Sequence, residues 1–94
     1  MRFAVAEETA SIYQMLGVSY LKQDDYENAL ENYNKALEME DCTDEMRQEI
    51  LFNEIAIYEL QSEWDLLKEK VAAYVEAYPE DDRMDKTVEF LETR

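Results

Sequence analysis

The chain has 94 residues, with 24 acidic and 9 basic side chains, no histidine and a formal net charge of -15. This length excludes a large multi-domain enzyme, and the acidic excess excludes a surface that neutralises nucleic-acid phosphates and opposes direct contact with an anionic membrane. Apolar residues make up 47% of the chain, with only one Gly and one Pro, so the composition predicts a folded, all-α domain with long helices.

The N-terminal segment Phe3-Ala4-Val5-Ala6 is too short for a signal-peptide core or a membrane span. As given, the chain is therefore expected to be soluble. Its single cysteine, Cys42, can form neither an internal disulfide nor a cysteine-based zinc site. The compartment stays open: cytoplasmic as given, or extracytoplasmic if the chain was excised from a longer exported or lipid-anchored bacterial protein.

The two halves of the chain resemble each other when one is shifted by 38 positions. The shift pairs residues of the same kind: Ile12 with Ile50, Tyr20 with Tyr58, Tyr26 with Trp64, and Leu37 with Val75. It also pairs Asp24 with Ser62, and each precedes an acidic residue by three positions, as in a capping box. Each half therefore predicts two helices joined by a tight turn.

In the first half, helices are predicted over about 7–22 and 25–40, because apolar residues recur at three- and four-residue spacing. The predicted apolar stripes contain Ile12, Leu16, Val18 or Ser19, Tyr20, Tyr26, Ala29, Leu30, Tyr33, Ala36 and Leu37. The segment 40–44 is acidic and lacks apolar periodicity, so it is predicted to be a solvated loop ending in a helix N-cap.

In the second half, helices are predicted over about 45–61 and 63–78, with a short terminal helix over about 82–93. Pro79 ends the fourth helix because it cannot donate the next backbone hydrogen bond. The predicted stripes contain Ile50, Leu51, Ile55, Tyr58, Leu60, Trp64, Leu67, Val71, Tyr74, Val75, Tyr78, Met84, Val88 and Leu91.

The first half resembles a known repeat family. The spacing Tyr13-x2-Leu16-Gly17-x2-Tyr20, followed by Ala29-x3-Tyr33 and Ala36, is similar to the tetratricopeptide repeat (TPR) pattern. Tyr13 stands for the usual Trp and Tyr33 for the usual Phe. Gly17 stands where the family needs a small residue so that two helices can approach closely.

The second half resembles a degenerate copy, in which Glu54 and Ile55 replace the Leu-Gly pair. The resemblance implies a right-handed α-solenoid in a single domain, 1–94. Its first repeat would cover about 10–43, its second about 44–81, and a C-terminal helix about 82–93.

No set of residues predicts catalysis, a cofactor or a metal. A single glycine cannot build a phosphate-binding loop, and the acidic loop lacks the spacing and central glycine of a calcium loop. Cys42 has acidic neighbours and no base to activate it. The aromatic residues at helical spacing are interpreted as core: Tyr20, Tyr26, Tyr33, Tyr58 and Trp64.

The resemblance instead implies a concave groove, lined by the first helix of each repeat, that holds a peptide or helix of another protein. Its candidate residues are Gln14, Val18, Leu21, Glu49, Phe52, Ala56 and Glu59. Phe52 lies off the core stripe, so it is either a groove anchor or a contact to the segment around Phe3 and Val5. A matching partner would carry apolar anchors and a basic rim.

Relatives that clamp a C-terminal carboxylate use Lys, Asn and Arg in this groove. The matching positions here hold Gln14, Val18, Glu49 and Asn53, which disfavours that mode of binding.

The alternative function is structural: a solenoid end that packs on itself or on a neighbouring domain of a longer parent protein. Its contact surface would be the C-terminal helix face with Met84, Val88 and Leu91. The chain is accordingly expected to be a monomer or a weak homodimer.

Overall fold

The computed structural model describes residues 9–93, and all regular structure in that range is helical. The predicted all-α fold is confirmed, and the described helix bounds agree with prediction to within a few residues. Residues 7 and 8 of the first predicted helix lie outside the described residues. No described helix has the length and apolar character needed to cross a membrane. The elements are α1 (Ala10–Lys22), α2 (Tyr26–Glu38), α3 (Asp44–Leu60), α4 (Trp64–Ala77), a 3₁₀ helix (Asp82–Met84) and α5 (Asp85–Glu92).

The chain divides into two compact units, Met1–Ile50 and Leu51–Arg94, and the division falls within α3. In the first unit, α1 packs against α2. Gly17 lies so close to the ring of Tyr33 that a Cβ at position 17 would be 2.5 Å from Tyr33 Cε1. The small residue predicted at this position is therefore required by the fully buried ring opposite it.

The second unit has its own apolar core. Partly buried aromatic side chains surround that core, including Trp64, whose ring centroid lies 5.7 Å from that of Phe90. The buried members are Ile55, Leu67, Val71, Tyr74 and Met84.

The turns within the two helix pairs share one geometry. The amide of Asp25 donates to the carbonyl of Tyr20 at 2.9 Å, and the amide of Glu63 donates to the carbonyl of Tyr58 at 3.0 Å. Just before each donor, Asp24 has φ 62° and Ser62 has φ 58°, in the left-handed region. Each turn is therefore a Schellman motif that satisfies the last carbonyls of its first helix.

The prediction that Asp24 and Ser62 cap the following helices is thus wrong by one residue. The N-cap of α2 is Asp25, whose carboxylate accepts the amide of Asn28 at 3.4 Å. The N-cap of α4 is Glu63, which makes no side-chain capping bond. Asp24 and Ser62 adopt the left-handed conformation that ends the preceding helix, so neither residue can also be the N-cap of the next helix.

The loop between α2 and α3 is more than a solvated acidic segment. The Asp41 carboxylate accepts a hydrogen bond from the backbone amide of Ala10 at 3.1 Å. This bond satisfies a donor at the start of α1 that has no partner within the helix. The hydroxyl of Thr43 accepts the amide of Met46 at 3.1 Å and caps α3. The Thr43 bond agrees with the N-cap predicted at the end of this segment. The Asp41 bond joins residues 31 positions apart, which a periodicity pattern does not reveal.

Several predicted core residues are more exposed than expected. In α1, Ala10 and Gly17 are buried, and at 3.6 residues per turn Ile12 and Leu16 lie roughly on the opposite side of the helix. Of the five aromatic residues interpreted as core, Tyr33 is fully buried, and the others are half-buried: Tyr20, Tyr26, Tyr58 and Trp64. The remaining exposed apolar members of the predicted stripes are Leu60 and Val75.

Candidate functional site

The predicted groove residues follow one face of α1 and one face of α3. Gln14, Val18 and Leu21 are half-buried on α1, within the first unit. On α3, Phe52 and Ala56 are half-buried, and the remaining two candidates, Glu49 and Glu59, are exposed. Their union in one groove stays a prediction.

Phe52 has close partners within the second unit. The guanidinium carbon of Arg83 lies 4.1 Å from its ring centroid, and the Tyr74 ring meets it edge-on at 6.2 Å. Phe3 and Val5, the other contact considered for Phe52, lie outside the described residues. The ring is thus anchored by a cation–π contact and an aromatic contact and is still half-buried.

Arg83 is held over Phe52 by a small polar network. Its Nη2 lies 2.8 Å from Asp81 Oδ2 and donates to the Tyr74 hydroxyl at 3.2 Å. The Tyr74 hydroxyl in turn donates to Asp81. The contact of Arg83 with Phe52 could not be predicted from the sequence, because apolar periodicity does not mark a charged residue in a 3₁₀ helix.

Glu54 is a buried carboxyl in the second unit. It is 3% exposed, and its Oε2 has no hydrogen-bond partner among residues 9–93. Burial raises the pKa of Glu54 to about 7, while the charge of Lys70 opposes the rise. Glu54 borders a cavity of about 110 Å³ whose other lining residues are Leu51, Ile55, Lys70, Ala73 and Tyr74.

An apolar cleft of about 390 Å³ lies between α4 and α5. Its α4 side shows the i, i+3, i+4, i+7, i+8 spacing of a single helix face, and its α5 side shows i, i+3, i+4. We call it the α4–α5 cleft; its lining residues are Lys68, Val71, Ala72, Val75, Glu76, Val88, Leu91 and Glu92.

Within residues 9–93, no group of three or more His, Cys, Asp or Glu side chains could hold a metal ion. The half-buried Cys42 has its Sγ 3.8 Å from the carbonyl oxygen of Thr43.

Comparison with protein-family models matches residues 10–41 to the tetratricopeptide repeat. Comparisons with curated proteins and with solved structures give no significant match. The matched segment covers α1, the turn with Asp24, and α2. Residues 10–41 are therefore similar to a tetratricopeptide repeat, and the five described α-helices are consistent with two such helix pairs followed by a C-terminal helix.

Proposed function

We propose that this chain is a non-catalytic protein-interaction module that binds a peptide or helix of another protein. The observation that carries the proposal is the tetratricopeptide repeat at residues 10–41, because repeats of this family are generally protein-interaction modules. The proposed groove is lined by α1 and α3, with Gln14, Val18, Leu21, Glu49, Phe52, Ala56 and Glu59.

Partial exposure of the apolar candidates supports this groove. Val18, Leu21 and Ala56 are half-buried, so each retains accessible apolar surface after folding. Such surface at regular helical spacing suits the side chains of an apolar segment. Phe52 contributes through the part of its ring that Arg83 and Tyr74 leave accessible.

Charge supports a partner with a basic rim. Glu49 and Glu59 are exposed at the margins of the apolar positions, and the whole chain carries -15. Lys or Arg on the partner would be attracted to these carboxylates, mainly speeding the encounter. Raising the salt concentration is therefore expected to slow association more than it changes dissociation.

The structural alternative has an observation of its own. The α4–α5 cleft includes Val88 and Leu91, two of the three residues assigned to the alternative contact surface. The third, Met84, is buried in the core of the second unit and offers almost no surface. A solenoid end that packs on a neighbouring domain would use the cleft.

The test begins with selection of binders from a phage-displayed library of random peptides. Leu21→Gln is expected to weaken binding of the selected peptides by about fivefold or more, because it places a polar amide among the apolar groove residues. Leu16→Gln is the matched control, since Leu16 lies on another face of α1 and is 40% exposed. Affinity is measured by fluorescence anisotropy.

Loss of affinity in Leu21→Gln, with Leu16→Gln close to wild type, supports the groove. The groove proposal would be contradicted if substitutions of Gln14, Val18, Leu21 and Phe52 left the affinity unchanged while substitution of Leu91 abolished binding. In that case, the cleft would be the binding surface. Light scattering on the same samples reports the expected monomer or weak homodimer.

A further inference from the structure

We propose that the α4–α5 cleft is a docking site for an amphipathic helix of another protein that carries Lys or Arg along its margins. The site uses none of the groove residues. It extends the proposed interaction function to a second surface.

The shape of the cleft suits a helix. Two helices bound it, and each presents one face at three- and four-residue spacing, which is the pattern into which the side chains of a third helix interdigitate. Ala72 provides a small residue on the α4 side, so a helix can approach closely there.

The cleft retains accessible apolar surface in the described structure. Val75 is 38% exposed and belongs to its lining, and Ala72 is exposed beside it. Exposed apolar side chains that line one cleft together with the half-buried Val88 and Leu91 are typical of an interaction surface.

Charge decides between a partner and a second copy. The lining has three charged residues, Lys68, Glu76 and Glu92, of which two are acidic. A second copy would bring another chain of net charge -15 against this surface, and the repulsion opposes association. A basic amphipathic helix would place its Lys or Arg side chains against the carboxylates and its apolar face against the apolar residues of the cleft.

The probe is a synthetic helical peptide of about four turns, with Leu at the a, d and e positions of the heptad and Lys on both flanks. Its affinity for the full chain is measured by isothermal titration calorimetry. Ala72→Glu is expected to weaken binding by about tenfold or more, because it places a charged side chain in the apolar cleft. The residue is exposed, so the fold tolerates the change.

Ala77→Glu is the matched control, with the same substitution at an exposed position of α4 outside the cleft. Both variants add one negative charge, which by itself strengthens attraction for a basic peptide. If the probe binds in the cleft, Ala72→Glu weakens its binding, whereas Ala77→Glu binds it with near wild-type affinity. Methyl NMR provides a second readout, with shifts expected at Val71, Val75 and Val88.

Three outcomes overturn the proposal: no binding of the probe by the wild type, equal affinities of the two variants, or methyl shifts that avoid the cleft. A wild-type dimer that Ala72→Glu converts to a monomer would also overturn it, since the occupant would then be a second copy. Because cleft and groove share no residue, failure of Ala72→Glu here and failure of Leu21→Gln in the groove test are separate results.

Discussion

The two helix pairs bury equivalent positions with different residues. In the first pair, Gly17 leaves room for the fully buried ring of Tyr33. Thirty-eight positions later, Ile55 and Val71 take these places, and both are buried in the core of the second unit. A very small residue beside a very large one has been replaced by two of intermediate size. Core packing thus preserves the filled space and not the individual residue.

Polarity is reversed at another equivalent pair. Leu16 is 40% exposed in the first helix pair, whereas its counterpart, Glu54, is 3% exposed in the second. The apolar residue remains at the surface and the carboxyl is buried, against the transfer preference of both side chains. Position within a repeat therefore does not decide burial.

The substitution with the largest expected effect on the free energy of unfolding is Glu54→Leu, which tests this reversal. Burial raises the pKa of Glu54 from 4.5 to about 7, so the folded state holds a proton that the unfolded chain releases between these values. Stability from this group is therefore lost as pH rises from 4.5 to 7. Above pH 7, Glu54→Leu should stabilise the fold by about 2–3 kcal/mol.

Urea denaturation from pH 4.5 to 8 checks this prediction. The gain from Glu54→Leu should be smallest at pH 4.5 and reach a plateau above pH 7. Leu16→Glu is the matched control and should change stability by less than about 1 kcal/mol, because that position is exposed. A gain that does not vary with pH would mean that Glu54 keeps an ordinary pKa.

The next effect concerns Gly17 and Tyr33. Gly17→Ala should destabilise by about 1–3 kcal/mol, because its Cβ would meet a fully buried ring that has little room to move. Helix propensity favours Ala by only about 1 kcal/mol and offsets part of this cost. Thermal unfolding measures the difference.

A double-mutant cycle with Tyr33→Leu tests the cause. Once the ring is removed, Gly17→Ala should lose most of its cost, with a coupling of about 0.5–3 kcal/mol. Strictly additive effects would show that Gly17 does not make room for Tyr33.

The smallest effect tests the two turns. Ser62→Gly should stabilise by about 0.5–1 kcal/mol, because glycine adopts the left-handed conformation without the strain of a Cβ. Asp24→Gly should gain less, since Asp tolerates this region and its carboxylate accepts a hydrogen bond from the Tyr26 hydroxyl at 3.4 Å. Chemical denaturation resolves the ranking, and a larger gain at position 24 would contradict it.

Much of the fold could be predicted from local pattern. The helices and the turns between them follow from periodicity and residue type, which act over a few turns of chain. The need for a small residue at Gly17 was implied by the resemblance to the tetratricopeptide repeat. The proposed groove could be predicted only as two helix faces. The α4–α5 cleft was anticipated only in part, through Val88 and Leu91, because its α4 side depends on where α5 packs.

The sequence by itself determined the all-α class, the 38-residue repetition and the acidic character of every candidate surface. Only the tertiary structure decided that Leu16 is exposed while Glu54 is buried, that Arg83 lies over Phe52, and that Asp41 binds the amide of Ala10. Local pattern specifies which face of a helix is apolar. Burial and polar pairing depend on contacts between residues distant in the chain, and several neighbours can satisfy the same face.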